Sequence, residues 1–301
     1  MNRKIRCYIQ NWNCVATDLI DNLDKFGFER VERPIDADKI VIWNDVMSDQ
    51  IMLIEYAKKK GIPTIVLQHG SKGTSRYYFP FNQPVLADKI CVWGQAMKDR
   101  LLETGTPEKK IEITGTHLIK HLKPRIEHKE INVVFSPEHW SEEVKENVDT
   151  AKELLKLKGV NIFTKIVQEH NLDNYQNPII SDRHSKEHIG IVADLLSKTD
   201  LVVGIMEGTF ELFAQCLDIP VVIMTDWKPK VISGDDRYLK YDKRLTNAVK
   251  QTSLKNLNKT IWQQIKNPNQ LKEERKKAVI DEGGINIENP LEEIIKVIKN
   301  A

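Results

Sequence analysis

His69 is the residue of this chain best suited by its sequence context to acid–base chemistry. It follows the short apolar segment Thr64–Leu67, and Gly70 comes directly after it. An apolar, β-branched run after Pro63 is typical of a buried parallel strand, and ligands of open α/β sheets bind outside the carboxyl ends of such strands. An unperturbed imidazole titrates near pH ~6.5 and can accept a proton at neutral pH. We predict a general base here; the alternative is a histidine that only forms a hydrogen bond at a strand end.

A second candidate site lies where another apolar run ends at Gly204 and a helix is predicted to open near Gly208. Helix N-termini carry unsatisfied N–H groups and partial positive charge, so they bind phosphates. Thr209 would add a hydroxyl donor to a diphosphate, and Glu211 would accept hydrogen bonds from the hydroxyls of a ribose or a sugar. The alternative is structural: Thr209 caps the helix, while Glu207 and Glu211 compensate its dipole.

Further polar side chains follow predicted strands in both halves of the chain. Ser136 and His139 come after the strand Asn132–Phe135, and Lys165 is a possible charge partner for a diphosphate. A basic and aromatic cluster follows His69 and is predicted to bind the acceptor: Lys72, Arg76, Tyr77 and Tyr78. Such residues suit nucleic acid, a lipid diphosphate or a sugar, and the alternative is a loop whose tyrosines pack on the domain.

Composition excludes several classes of protein. The 45 basic residues nearly balance the 43 acidic ones, which argues against broad, non-specific nucleic-acid binding. The four cysteines are scattered without disulfide or metal-ligand spacing, and we predict no metal site. The N-terminus lacks the apolar core of a signal peptide, and no apolar run approaches the ~20 residues that cross a bilayer. We therefore expect a cytoplasmic protein whose membrane contact, if any, is peripheral.

Short apolar runs alternate with helical patterns in both halves of the chain. This spacing predicts an α/β protein of two Rossmann-like β/α/β domains, whose parallel sheets face a central cleft. The predicted N-terminal domain covers residues 1–122, a linker 123–130, and the C-terminal domain with its final helix 131–301. Neither half contains a G-x-G-x-x-G or a Walker A sequence, so the common dinucleotide and P-loop fingerprints are excluded.

Four short motifs in the first half carry a family resemblance: His69-Gly70, Ala87-Asp88, Trp93-Gly94 and Ile113-Thr114-Gly115. Together with TDLVVGIMEGTFELFAQCLDIPVVI in the second half, they resemble GT-B glycosyltransferases. The resemblance is stronger to bacterial surface-carbohydrate, capsule and CDP-glycerol glycerophosphotransferase-like enzymes. Those enzymes have a second His-Pro motif after a donor-domain strand, where this chain has Phe163-Thr164-Lys165. The departure favours a nucleotide-sugar donor.

The resemblance implies transfer of a sugar from a nucleotide-sugar, with UDP favoured, to a hydroxyl group. Transfer would be inverting and metal-independent, with no cofactor beyond the donor. The acceptor would be a glycan, a lipid-linked sugar or modified DNA. Four alternatives remain: a phage-type DNA-base glycosyltransferase, a sugar-nucleotide epimerase, a CDP-glycerol-type glycerophosphotransferase and a non-catalytic nucleotide- or glycan-binding protein. The predicted donor-binding residues are Gly70, Ser136, His139, Lys165, Gly204, Glu207, Gly208, Thr209 and Glu211.

Overall fold

The computed structural model describes two compact units. The described residues are 3–10, 14–71, 83–137, 145–166, 175–182, 185, 187–205, 207–225 and 246–301. The first unit comprises the described residues of Met1–His117 together with Ile280–Ala301. The second comprises the described residues between Leu118 and Val279.

A six-stranded parallel sheet forms the centre of the first unit, in the order β2-β1-β3-β4-β5-β6. Its strands are β1 (Ile5–Ile9), β2 (Phe28–Val31), β3 (Lys39–Ile42), β4 (Thr64–Leu67), β5 (Lys89–Val92) and β6 (Ile111–Ile113). The helices between them are α1 (Cys14–Asn22), α2 (Ser48–Lys60) and α3 (Gln95–Glu103). Strands covered by helices on both faces need apolar side chains on both faces, and β4 is buried along its whole length.

The second unit contains another six-stranded parallel sheet, in the order β12-β11-β10-β7-β8-β9. Its strands are β7 (Ile131–Ser136), β8 (Val160–Ile166), β9 (Pro178–Ile180), β10 (Leu201–Gly204), β11 (Val221–Met224) and β12 (Val249–Thr252). Its helices are α4 (Lys145–Leu154), α5 (His188–Ser197), α6 (Thr209–Cys216) and α7 (Leu257–Lys266). The chain runs outward from β7 to β9 and then returns to place β10 beside β7. The strand order therefore reverses between β7 and β10, which is where ligands of doubly wound sheets bind.

The prediction of two Rossmann-like domains with parallel sheets is confirmed, but the end of the chain differs from the predicted division. Helix α8 (Lys272–Gly283) is followed by α9 (Pro290–Asn300), and the residues from Ile280 onward belong to the first unit rather than to the second. Helix α9 buries an apolar stripe that includes Ile294 and Ile298. The sequence shows that stripe, but it does not show which sheet the stripe covers. The predicted linker belongs to the second unit, where Ile126 donates its N–H to the Ser197 carbonyl at 2.8 Å.

Two glycines allow the C-terminal segment to approach the end of β5 closely. A Cβ at Gly94 would lie 2.1 Å from the Asp281 carbonyl oxygen. A Cβ at Gly284, whose φ is +62°, would lie 2.0 Å from the Trp93 carbonyl oxygen. Both contacts are between backbones, so a flexible side chain cannot move aside to relieve them.

Replacing Gly94 by alanine is therefore expected to destabilise the first unit by about 1–3 kcal/mol, the usual range for overpacking. Urea denaturation followed by circular dichroism would measure this change. Gly190→Ala is the matched control, because nothing lies within 4 Å of the new Cβ in helix α5. That control is expected to be neutral or stabilising, since alanine is the better helix former. Equal stability of the two variants would contradict the close approach at Gly94.

Candidate functional site

His69 lies in the turn that directly follows β4, at the carboxyl edge of the first sheet. Its ring Nδ1 is 3.0 Å from the carbonyl oxygen of Trp43, the residue after β3. A carbonyl oxygen only accepts hydrogen bonds, so Nδ1 carries the proton in the neutral ring. The nitrogen that can accept a proton is then Nε2, and the half-buried ring has the tautomer that a general base requires.

Gln68 is a residue of this site that sequence reasoning missed. Its side chain is buried, and its amide nitrogen donates to the Gly70 carbonyl at 2.7 Å. Its amide oxygen accepts from the backbone N–H of Trp93 at 2.6 Å. Gly70, predicted to contact a ligand, thus has its carbonyl engaged within the turn. In the sequence, a polar residue after a strand indicates only a loop. The partner of Gln68, Trp93, is 25 residues away, so no local pattern indicates the contact.

The predicted acceptor residues Lys72, Arg76, Tyr77 and Tyr78 lie outside the described residues, and so does His139. Their roles remain predictions.

Several residues that are predicted to bind the donor lie at the switch point of the second sheet. Ser136 ends β7 and Gly204 ends β10, and these two residues are register partners in adjacent strands. The predicted end of β10 at Gly204 and the predicted helix start are both confirmed, since α6 begins at Thr209 after an N-cap at Gly208. The structure thus brings Ser136 and Gly204 together at the carboxyl ends of two adjacent central strands.

Glu211 links the start of α6 to the end of β7. Its Oε2 accepts from the Gly208 N–H at 2.9 Å, and the Ser136 hydroxyl also donates to its carboxylate. The carboxyl is almost fully buried, and burial raises its pKa above the ordinary value; hydrogen bonds and the charge of Lys165 act in the opposite direction. The helix is thus capped by Gly208 and Glu211, and Thr209 is its first residue rather than its cap.

Lys165 brings positive charge to this cluster. It lies on β8, and its Nζ is 5.1 Å from the ring centroid of Phe210, the second residue of α6. An ammonium group over an aromatic ring is attracted by the negative face of that ring. The lysine is therefore held near the N-terminus of α6, where the helix dipole is also positive.

Glu207 is engaged mainly with the protein itself. Its Oε1 accepts from Gln215 Nε2 at 2.8 Å and from Thr246 Oγ1 at 2.6 Å, and its Oε2 accepts from the Thr246 N–H at 2.7 Å. These bonds join the turn before α6 to the segment that leads into β12. A contact between Glu207 and a donor remains a prediction.

Within the part of the chain that the structure describes, no group of three or more His, Cys, Asp or Glu side chains could hold a metal ion. Among the described helices, none combines the length and the apolar character needed to cross a membrane.

No protein-family model matches the chain, and no curated protein matches it. Solved structures do. UDP-GlcNAc 2-epimerase from Neisseria meningitidis, bound to UDP-GlcNAc, is 12% identical with a TM-score of 0.60, covering 98% of this chain and 99% of that one. The wall teichoic acid polymerase TagF is 12% identical with a TM-score of 0.61, and the match covers 100% of this chain and 89% of that one. The glycotransferase of kitacinnamycin is 9% identical with a TM-score of 0.62, and the match covers 100% of this chain and 99% of that one.

These structures have the GT-B fold, and this chain has it too. The predicted fold is therefore confirmed over essentially the whole chain. Identities of 9–12% establish the fold alone.

Proposed function

We propose that this protein is a glycosyltransferase that moves a sugar from a nucleotide-sugar donor, with UDP favoured, to a hydroxyl acceptor. The observation that carries the proposal is the cluster of Ser136, Gly204 and Glu211 at the switch point of the second sheet, beside the N-terminus of α6. Two of the similar structures support it, one bound to UDP-GlcNAc and the other described with CDPG.

In this proposal the second unit binds the donor. The diphosphate lies at the N-terminus of α6, where N–H groups and the helix dipole favour negative charge, and Lys165 adds a cation. Glu211 and Ser136 bind hydroxyls of the ribose or sugar. The N-terminus of α6 and Lys165 also stabilise the diphosphate as it departs, so the reaction needs no metal.

The first unit supplies the base. His69 Nε2 takes the proton of the acceptor hydroxyl while the hydroxyl oxygen attacks the anomeric carbon. The bond from that carbon to the diphosphate breaks, and the configuration inverts. The Nδ1–H bond to the Trp43 carbonyl holds the ring and stabilises the imidazolium that forms. The acceptor is a glycan, a lipid-linked sugar or modified DNA.

The second candidate is a sugar-nucleotide epimerase. It is supported by the epimerase from Neisseria meningitidis, whose chain and this one cover each other almost completely. An epimerase needs no acceptor, whereas a transferase does. Incubation with UDP-GlcNAc alone separates the two functions, because only the epimerase converts it into a new UDP-sugar without an acceptor. The similarity to TagF keeps a glycerophosphotransferase as a third candidate.

A thermal-shift screen tests the donor site directly. The panel contains UDP-, GDP-, CDP- and dTDP-sugars together with CDP-glycerol. A nucleotide at 100 times its Kd adds about 2.7 kcal/mol to the free energy of unfolding, which is readily measured. The absence of a shift with every nucleotide would contradict the proposal.

Glu211→Gln is expected to weaken binding of the best nucleotide at least about tenfold, which corresponds to about 1.4 kcal/mol. The substitution keeps the size of the side chain but removes the charge that organises the hydroxyl contacts. Isothermal titration with that nucleotide measures the change. Glu273→Gln, on the exposed face of α8, is the control and should bind as the wild type does. Equal affinities of the two variants would remove Glu211 from the donor site.

A further inference from the structure

Gln68 uses every hydrogen-bonding group it has. Its backbone N–H donates to the Cys91 carbonyl at 3.0 Å, and its carbonyl accepts from Trp93 Nε1 at 2.9 Å. Its amide oxygen accepts from the Trp93 N–H, and its amide nitrogen donates to the carbonyls of Gly70 and Ser71 at 2.7 and 3.3 Å. One side chain, 2% exposed, thus joins the turn after β4 to the end of β5.

These bonds fix the backbone on which His69 sits. The two residues after His69 are bound through their carbonyls to the side chain of the residue before it. The His69 ring is then bound separately, through Nδ1, to the Trp43 carbonyl. The backbone bonds decide whether the ring reaches that carbonyl, because they set where the Cα of His69 lies.

Glutamine is suited to this position because its amide both donates and accepts. An ionised glutamate could accept from the Trp93 N–H but could not donate to the Gly70 carbonyl. A methionine of similar size could do neither. The partner, Trp93, is itself held: the Gly115 N–H donates to its carbonyl at 3.1 Å.

We infer that Gln68 is the positioning residue for His69, acting through the Gly70–Ser71 turn to keep Nε2 as the proton acceptor. This inference rests on the proposed function, in which His69 is the base. A displacement of about 1 Å in a catalytic group can lower the rate about 100-fold, so loss of the Gln68 contacts should be visible in kcat.

The test compares Gln68→Met, which removes the side-chain hydrogen bonds, with Gln68→Glu, whose carboxylate can still accept from the Trp93 N–H but cannot donate to the Gly70 carbonyl. Thr64→Val is the matched control. It removes a buried hydroxyl that donates to Asp88 at 2.8 Å at the opposite end of the same strand. If Gln68→Met does not fold, Gln68→Glu decides the question.

The first readout is the tautomer of His69 in protein labelled with nitrogen-15 histidine. The chain has eight histidines, and the His69 signals are identified by their loss in His69→Gln. Wild type and Thr64→Val are expected to give the Nδ1–H tautomer, and Gln68→Met and Gln68→Glu a mixture. The second readout is UDP release from UDP-GlcNAc, with water taking the place of the hydroxyl acceptor. Gln68→Met should lower kcat about 10–100-fold with KM within threefold, and Thr64→Val should retain kcat within twofold.

The inference is overturned if Gln68→Met or, where that fails to fold, Gln68→Glu keeps the Nδ1–H tautomer, or if its kcat equals that of Thr64→Val. Two results distinguish failure of this inference from failure of the proposed function. Normal turnover by His69→Gln would remove His69 as the base, whatever the tautomers are. An inactive His69→Gln combined with an unaltered tautomer in Gln68→Met would overturn the positioning role alone.

Discussion

Replacing His69 by alanine is expected to lower kcat by about 10²–10⁴-fold, the usual contribution of a general base. Nδ1 is bound to the Trp43 carbonyl, so Nε2 is the nitrogen that takes the acceptor proton, and alanine provides no substitute. Donor affinity should be unchanged, because in the proposed function the donor binds the second unit. UDP release measures kcat, and titration with UDP-GlcNAc measures binding.

His69→Gln sharpens this experiment. Its amide can still donate to the Trp43 carbonyl, but it cannot take a proton, so it should be as inactive as alanine. The pH dependence of the rate gives an independent check, since the base must be unprotonated. The wild-type rate should fall as the pH is lowered. The residual rates of both variants should not show this decrease. His128→Ala, which alters a histidine of the second unit, is the control. Turnover within threefold of wild type in His69→Ala would contradict the assignment of the base.

The central strands of both sheets could be predicted from the sequence, and so could the edge strand β6, but the other three edge strands could not. Strands such as β4 and β10 are buried along their whole length and almost entirely apolar, because helices cover both of their faces. The strands that sequence analysis missed, β2, β9 and β12, all lie at sheet edges and contain polar or exposed residues. An edge strand packs against fewer neighbours, so its residues need not follow the apolar pattern.

The same difference separates the predicted from the missed parts of the candidate site. Gly204 and Gly208 were recognisable because a strand end and a helix start leave local signals. The link between Gln68 and Trp93 leaves none, since it depends on β5 pairing beside β4. The sequence context of Glu207 predicts a ligand-binding residue, but it gives no sign that the carboxylate accepts hydrogen bonds from Thr246, 39 residues further along the chain.

The second large effect that we expect is a loss of stability when the C-terminal segment loses its ion pair with the first unit. Arg100 of α3 forms two hydrogen bonds with Glu282 of α8, at 2.8 and 2.5 Å, and both side chains are buried. Removing one partner of a buried ion pair leaves an uncompensated charge, so Glu282→Leu is expected to lower the free energy of unfolding by about 3–5 kcal/mol. Urea denaturation followed by tryptophan fluorescence measures the change.

The double variant Arg100→Met, Glu282→Leu removes both charges and is expected to recover most of that stability. Burying an ion pair requires both groups to lose their hydration, and apolar side chains of similar size avoid this loss. Glu108→Gln is the control in the same unit: it breaks the pair between Lys98 and an exposed carboxylate, so its midpoint should stay close to that of wild type. If Glu282→Leu unfolds at the wild-type midpoint, the ion pair does not hold the C-terminal segment on the first unit. If the double variant is no more stable than Glu282→Leu, the loss comes from packing around Glu282 and not from loss of the ion pair.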